Sequence, residues 1–196
     1  MYYLRFVALL LLALGLASCG TPHQWSGTLL EPPKPLTDIT LPDQNGQPFQ
    51  LGAQQPNLML LYFGFTNCPN FCPTTLGEWK QIKQELGADA DKLRFVLVSV
   101  DPERDTEQAL KAYVERFDPA FVGVRPTLEQ VGSLSREYGF GVQVAQAGSS
   151  DHQHDPAKHG TYTYLVDQSG GLRLLFRFGT DPREIARDIR ALLAQQ

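Results

Sequence analysis

The chain is poor in cysteine and in charge of one sign, and its first apolar run is short. Three cysteines in 196 residues, Cys19, Cys68 and Cys72, are too few for a disulfide-stapled scaffold, so an apolar core must hold the fold. A formal net charge of −4 with no basic block excludes a nucleic-acid surface, and the interspersed charges read as a solvated exterior. The apolar run at residues 7–14 falls well below the roughly 20 residues that a spanning helix needs. There is no internal repeat. What is present is an apolar share of 42%, enough for the core of one domain.

Residues 1–20 read as a targeting segment. Arg5 supplies a thin positive start, residues 7–14 the apolar stretch, and Leu16-Ala17-Ser18-Cys19-Gly20 the end. That end resembles a bacterial lipobox, in which Cys19 becomes the lipidated first residue of the mature chain. The alternative is an uncleaved anchor with Cys19 as an incidental thiol. Either way the expected location is the bacterial cell envelope, with the domain outside the cytoplasm. Residues 21–35 carry Pro22, Pro32, Pro33 and Pro35 without apolar periodicity, which predicts a flexible tether. His23 in this stretch is a poor candidate ligand. The domain proper is expected over residues 36–196.

The pattern along that domain is α/β. Residues 39–51 read as a hairpin turning at Asp43-Gln44-Asn45-Gly46. The unbroken apolar run 58–63 suits a central strand covered on both faces. Leu76, Trp79, Ile82 and Leu86 then recur at helical spacing, with Pro73 as a good first helical residue. A second buried strand covers 94–100. Helices follow on Leu110, Tyr113, Val114 and Phe117, and on Leu128, Val131, Leu134 and Tyr138. Residues 141–144 read as a short strand and 147–158 as a polar loop. A strand from 159 to 167 turns at Gln168-Ser169-Gly170-Gly171 and returns over 172–178. Asp181-Pro182 opens a last helix with Ile185, Ile189, Leu192 and Leu193 inward. Alternating strands and helices imply a parallel core to a mixed sheet flanked by helices.

The chemistry centres on Cys68-Pro69-Asn70-Phe71-Cys72, a C-x-x-x-C between the central strand and its helix. Strand, cysteine loop and helix are how a thioredoxin-type domain presents its sulfurs. Cys72 falls near the helix N-terminus, where the partial positive charge favours thiolate. Two thiolates about one turn apart suit a soft cation such as Cu(I), and imidazole also binds copper. The pair alone also allows a structural disulfide or two buried thiols. His159, just before a strand of the same sheet, is the best third ligand in a thioredoxin-like fold. His152 and His154 read as a solvated loop pair, with copper capture as the alternative. Asp101 reads as a cap of the turn after its strand, with orientation of a ligand as the alternative.

Three stretches resemble the Sco/SenC copper proteins of cytochrome c oxidase assembly, over residues 36–194. Residues 62–73, Tyr-Phe-Gly-Phe-Thr-Asn-Cys-Pro-Asn-Phe-Cys-Pro, resemble the family's copper loop. Residues 98–106, Val-Ser-Val-Asp-Pro-Glu-Arg-Asp-Thr, resemble its second signature. His159 followed by Tyr164-Leu165-Val166-Asp167 and Gly170 resembles its histidine segment. The resemblance implies a thioredoxin-like fold with an N-terminal hairpin, and one copper held by Cys68, Cys72 and His159, as Cu(I), with Cu(II) a further candidate. It implies delivery to the CuA centre of oxidase subunit II, or reduction of that centre's cysteines. The other partners expected are the membrane, through a lipid anchor, and a periplasmic copper donor. Asn70 stands where the family often has an acidic residue, and Gly160 where it often has a hydroxyl or apolar one; neither position is a ligand.

Two other functions compete with a non-enzymatic copper carrier. A thiol–disulfide reductase would use Cys68 and Cys72 as a redox pair, and does not need His159. The absence of a Trp-Cys-Gly-Pro-Cys loop leans against a general oxidoreductase. A peroxiredoxin-like peroxidase would want a proline before its cysteine, whereas Pro69 follows Cys68.

Overall fold

In the computed structural model, residues 23–52, 57–140 and 162–195 are described. The elements in chain order are β1 (Thr28–Pro35), β2 (Ile39–Pro42), β3 (Pro48–Leu51), β4 (Leu58–Gly64), α1 (Phe71–Leu86), β5 (Leu93–Ser99), α2 (Glu107–Glu115), β6 (Val122–Val124), α3 (Leu128–Tyr138), β7 (Tyr162–Val166), β8 (Gly171–Arg177) and α4 (Pro182–Leu193). Six strands form one mixed sheet in the order β1-β8-β7-β4-β5-β6. β4, β5 and β6 run parallel, while β7, β8 and β1 each join antiparallel.

The apolar run of β4 is buried at every residue, as the central position requires. Period-2 alternation divides it between two cores. Leu58, Leu60 and Tyr62 face a cluster with Trp79 and Ile82 of α1 and Ile185 and Ile189 of α4. Met59, Leu61 and Phe63 face a second cluster with Leu134 and Tyr138 of α3 and the hairpin's Leu41 and Leu51. Phe63 stacks on Phe140 at 4.0 Å between ring centroids. The expected hairpin is present as β2 and β3, and its turn covers the open β6 edge. Gln44 is buried there, accepting from Gly123 N–H at 2.9 Å, and Arg125 N–H donates to Pro42 O. That contact removes an unpaired edge.

The limits expected for some segments need correction. The tether predicted over 21–35 does not extend that far, because residues 28–35 form β1 and pair with β8. An edge strand bonds one neighbour only, so it tolerates prolines, and the register shifts between Leu29 and Lys34, around Pro32 and Pro33. Half-exposed on both faces, it shows no apolar alternation. His23 is likewise held: its Nε2 lies 2.8 Å from Oδ1 of Asp188 on α4. Leu128 is exposed, because it opens α3 directly after the Thr127 cap, whose hydroxyl and Gln130 form a reciprocal capping box. Phe117 lies beyond the end of α2 but still packs on the core. The strand expected at 141–144, the loop at 147–158 and the segment around Cys19 lie outside the described residues.

Candidate metal centre

β4 ends at Gly64 and α1 begins at Phe71, with Cys68 between them and Cys72 in the first helical turn. The helix starts two residues before Pro73, which therefore sits inside the first turn, where a missing N–H still costs nothing. Both sulfurs are buried and carry no disulfide. Cys72 N–H donates to Cys68 Sγ at 3.4 Å.

The expected thiolate character of Cys72 is reversed. Its thiol hydrogen-bonds Cys68 and is fully buried, and negative charge on Cys68 adds to both effects, so its proton is held well above the ordinary thiol range. Burial outweighs the helix N-terminus here. Cys68 Sγ thus accepts from the Cys72 backbone N–H, and the two side chains hydrogen-bond each other.

The wall behind the sulfurs is fitted to them. A Cβ on Gly64 would stand 2.8 Å from Cys72 Sγ and 2.8 Å from Tyr62 Cε1, so only glycine leaves room for the Cys72 sulfur. Burial holds the Tyr62 phenol protonated far above its usual range. Phe71, between the cysteines, sets its ring edge-on to Phe178 at 4.9 Å, tying the loop to the chain just beyond β8.

Asp101 behaves as a turn residue. Its carbonyl accepts from Arg104 and Asp105 N–H, and its carboxylate pairs with Arg104 Nε. The residue that meets the cysteine loop is Asp105, to which sequence reasoning assigned no role. It is fully buried and accepts from Thr66 Oγ1 at 2.6 Å, Thr66 N–H at 3.1 Å and Ser99 Oγ at 2.6 Å. The available signal was a second aspartate within the 98–106 signature, just ahead of the Thr106 cap of a helix.

Among the described residues, no group of three or more His, Cys, Asp or Glu gathers as a metal site. Cys68 and Cys72 are the two soft donors brought together. His159, His152 and His154 lie outside the described residues. The β4–β7 pairing is antiparallel with Tyr62 opposite Thr163. β7 therefore begins at the sheet end where β4 delivers the cysteine loop.

The SCO1/SenC family model matches residues 31–194. The SCO2-like protein RC0895 of Rickettsia conorii is 34% identical over 154 residues, which cover 78% of this chain and 74% of that protein. Bradyrhizobium japonicum ScoI with copper bound is similar at a TM-score of 0.68 and 31% identity, covering 79% of this chain and 97% of that one. Apo Sco1 of Thermus thermophilus is similar at 0.74 and 33% identity, covering 88% and 99%. Matched along most of its length in sequence and across its sheet in fold, the chain belongs to the SCO1/SenC family.

Proposed function

We propose that the chain is a membrane-tethered copper carrier of the cell envelope. It takes one copper ion on Cys68, Cys72 and His159 and hands it to the CuA site of cytochrome c oxidase subunit II. The observation that carries this reading is the pair of free, buried sulfurs four residues apart, with a glycine cleared behind one of them. The copper-bound relative from Bradyrhizobium supports the choice of cargo. Soft thiolates suit Cu(I), and a low-coordinate site lets the ion leave by stepwise ligand exchange. His159 stands three residues before β7 in the sequence, a reach of about 10 Å from the sheet end that carries the cysteine loop. Copper must displace the Cys72 proton on binding.

With Cys19 lipidated, four residue steps separate the anchor from His23, about 13 Å of chain at most. The domain then rides close to the bilayer, and a membrane-bound acceptor meets it at high effective concentration. A second reading, reduction of the CuA-site cysteines, is favoured by the same free pair, in which Cys72 N–H donates to Cys68 Sγ.

The test uses the full chain in detergent, because a fragment beginning at residue 36 would lose β1. The reduced protein is titrated anaerobically with Cu(I) against a chromophoric chelator, beside Cys68→Ala, Cys72→Ala and His159→Ala. One copper per chain, weakened in all three variants, is expected. Loss in the cysteine variants alone would remove His159 as a ligand. No competitive binding by the wild type would overturn the carrier reading and leave the dithiol as redox chemistry.

A further inference from the structure

We propose that Asp105 is a positioning residue of the cysteine loop: its buried carboxylate clamps Thr66, and through it Cys68, to the end of β5. Its consequence for copper rests on the carrier role proposed above, whereas the clamp itself belongs to the metal-free protein.

The loop's own backbone holds Cys68 weakly. Cys68 N–H reaches Phe65 O at 3.4 Å, the long limit of such a bond, and is the turn that brings the sulfur round. Two residues upstream the hold is strong. Thr66 gives Asp105 both its hydroxyl at 2.6 Å and its N–H at 3.1 Å, a paired contact to the one oxygen Oδ1. On the other side Ser99 Oγ accepts from Asp101 N–H at 3.1 Å, which turns its own hydrogen toward Asp105 at 2.6 Å. Asp101 N–H donates to the Ser99 hydroxyl and Ser99 to Asp105, while Thr66 donates to Asp105 from the loop side, so donors from both segments converge on one carboxylate and couple the last residue of β5 to the cysteine loop. Val100 N–H, donating to Gly64 O at 2.9 Å, holds the two strand ends level, so the clamp acts on the loop beyond them.

A fully buried carboxylate is costly, and a hydrophobic residue would fill the space more cheaply. What the acid adds is a fixed acceptor for donors from two separate segments. Cys72 is placed by α1 and by the space at Gly64; Cys68 has no regular element of its own, and beside the Cys72 N–H on its sulfur it is the clamped Thr66, two residues upstream, that sets where its backbone stands.

The experiment compares Asp105→Ala, Asp105→Asn and Thr66→Val in the full reduced chain in detergent. Hydrogen exchange by mass spectrometry is followed in residues 64–72 and, as reference, in α4, without metal; Cu(I) competition follows. Asp105→Ala should exchange about 5- to 30-fold faster in the loop with α4 unchanged, and bind Cu(I) about 10- to 100-fold more weakly. Asp105→Asn should recover both to within about threefold, since its oxygen still accepts from Thr66 and the Ser99 hydroxyl can turn to accept from its amide. Thr66→Val, which keeps the N–H contact, should fall between the two, and decides the matter alone if Asp105→Ala does not fold. Unchanged loop exchange in Asp105→Ala and Thr66→Val, a rise shared equally by α4, or an Asn variant as impaired as Ala would overturn the clamp. A wild type that binds no Cu(I) would overturn the carrier role, with the exchange data still deciding the clamp.

Discussion

Replacing Gly64 with alanine tests the packing behind the sulfurs. The added methyl would meet Cys72 Sγ at 2.8 Å and the Tyr62 ring at 2.8 and 3.1 Å. Carbon atoms pack best at about 3.5–4.0 Å, so the overlap approaches 1 Å on two sides. Neither neighbour yields easily: Tyr62 is buried in the central strand, and Cys72 is fixed in the first turn of α1. Overpacking of this kind costs about 1–3 kcal/mol. At about 2–4 °C per kcal/mol for a chain of this size, melting should fall by roughly 2–12 °C. The relief open to the structure is to swing the Cys72 sulfur or lift the helix start, and either changes its distance from Cys68. Cu(I) affinity should therefore fall together with stability. The assay is thermal unfolding of the reduced protein followed by circular dichroism, with chelator competition on the same samples. Gly77→Ala is the control, since a Cβ there meets nothing within 4 Å and lies inside α1; it should raise stability by about 0.5–1 kcal/mol. A Gly64→Ala protein that melts and binds copper like the wild type would refute the geometry of the sulfur wall.

Cys72 holds its proton above the usual thiol range, so protons compete with copper through neutral pH, and apparent Cu(I) affinity should strengthen by up to about tenfold per pH unit. A flat profile from about pH 6 to 8 would refute the protonated Cys72. Burial raises Asp105, with the Ser99 and Thr66 bonds pulling the other way. The folded chain thus keeps a proton the unfolded chain has released, and wild-type stability should fall as pH rises upward from the ordinary aspartate value of 3.8. Urea midpoints of wild type and Asp105→Asn should diverge over that window, and parallel curves would contradict the assignment. Asp188 accepts from Ser26 N–H, Ser26 Oγ, Gly27 N–H and His23, so Asp188→Ala should cost about 1–3 kcal/mol and speed proteolysis ahead of β1. Unchanged cleavage there would show that the amino-terminal segment is not held by α4.

Much of this architecture was legible residue by residue. The apolar run of β4, the periodicity of α1 and α4 and the Asp43–Gly46 turn are local patterns, written in neighbouring side chains that face one environment. The two cysteines declared themselves by spacing and by the elements on either side. β1 did not, because a strand with one partner, interrupted by prolines, has no alternation to read. Its place depends on β8, about 140 residues later in the chain.

The protonation of Cys72 and the role of Asp105 belong to the same class. From sequence, a helix N-terminus argued for thiolate. The fold buried the sulfur against Cys68 and Gly64, and desolvation with a neighbouring sulfur prevailed. Sequence by itself marked Cys68 and Cys72 as soft donors in one loop and located most of the strands and helices, since both follow from side-chain chemistry and short-range periodicity. Tertiary structure alone decided that the Cys72 thiol is held above its ordinary range, what clamps the loop and that residues 28–35 join the sheet. Those depend on burial and on hydrogen bonds between segments that only the folded sheet brings within 3 Å of one another.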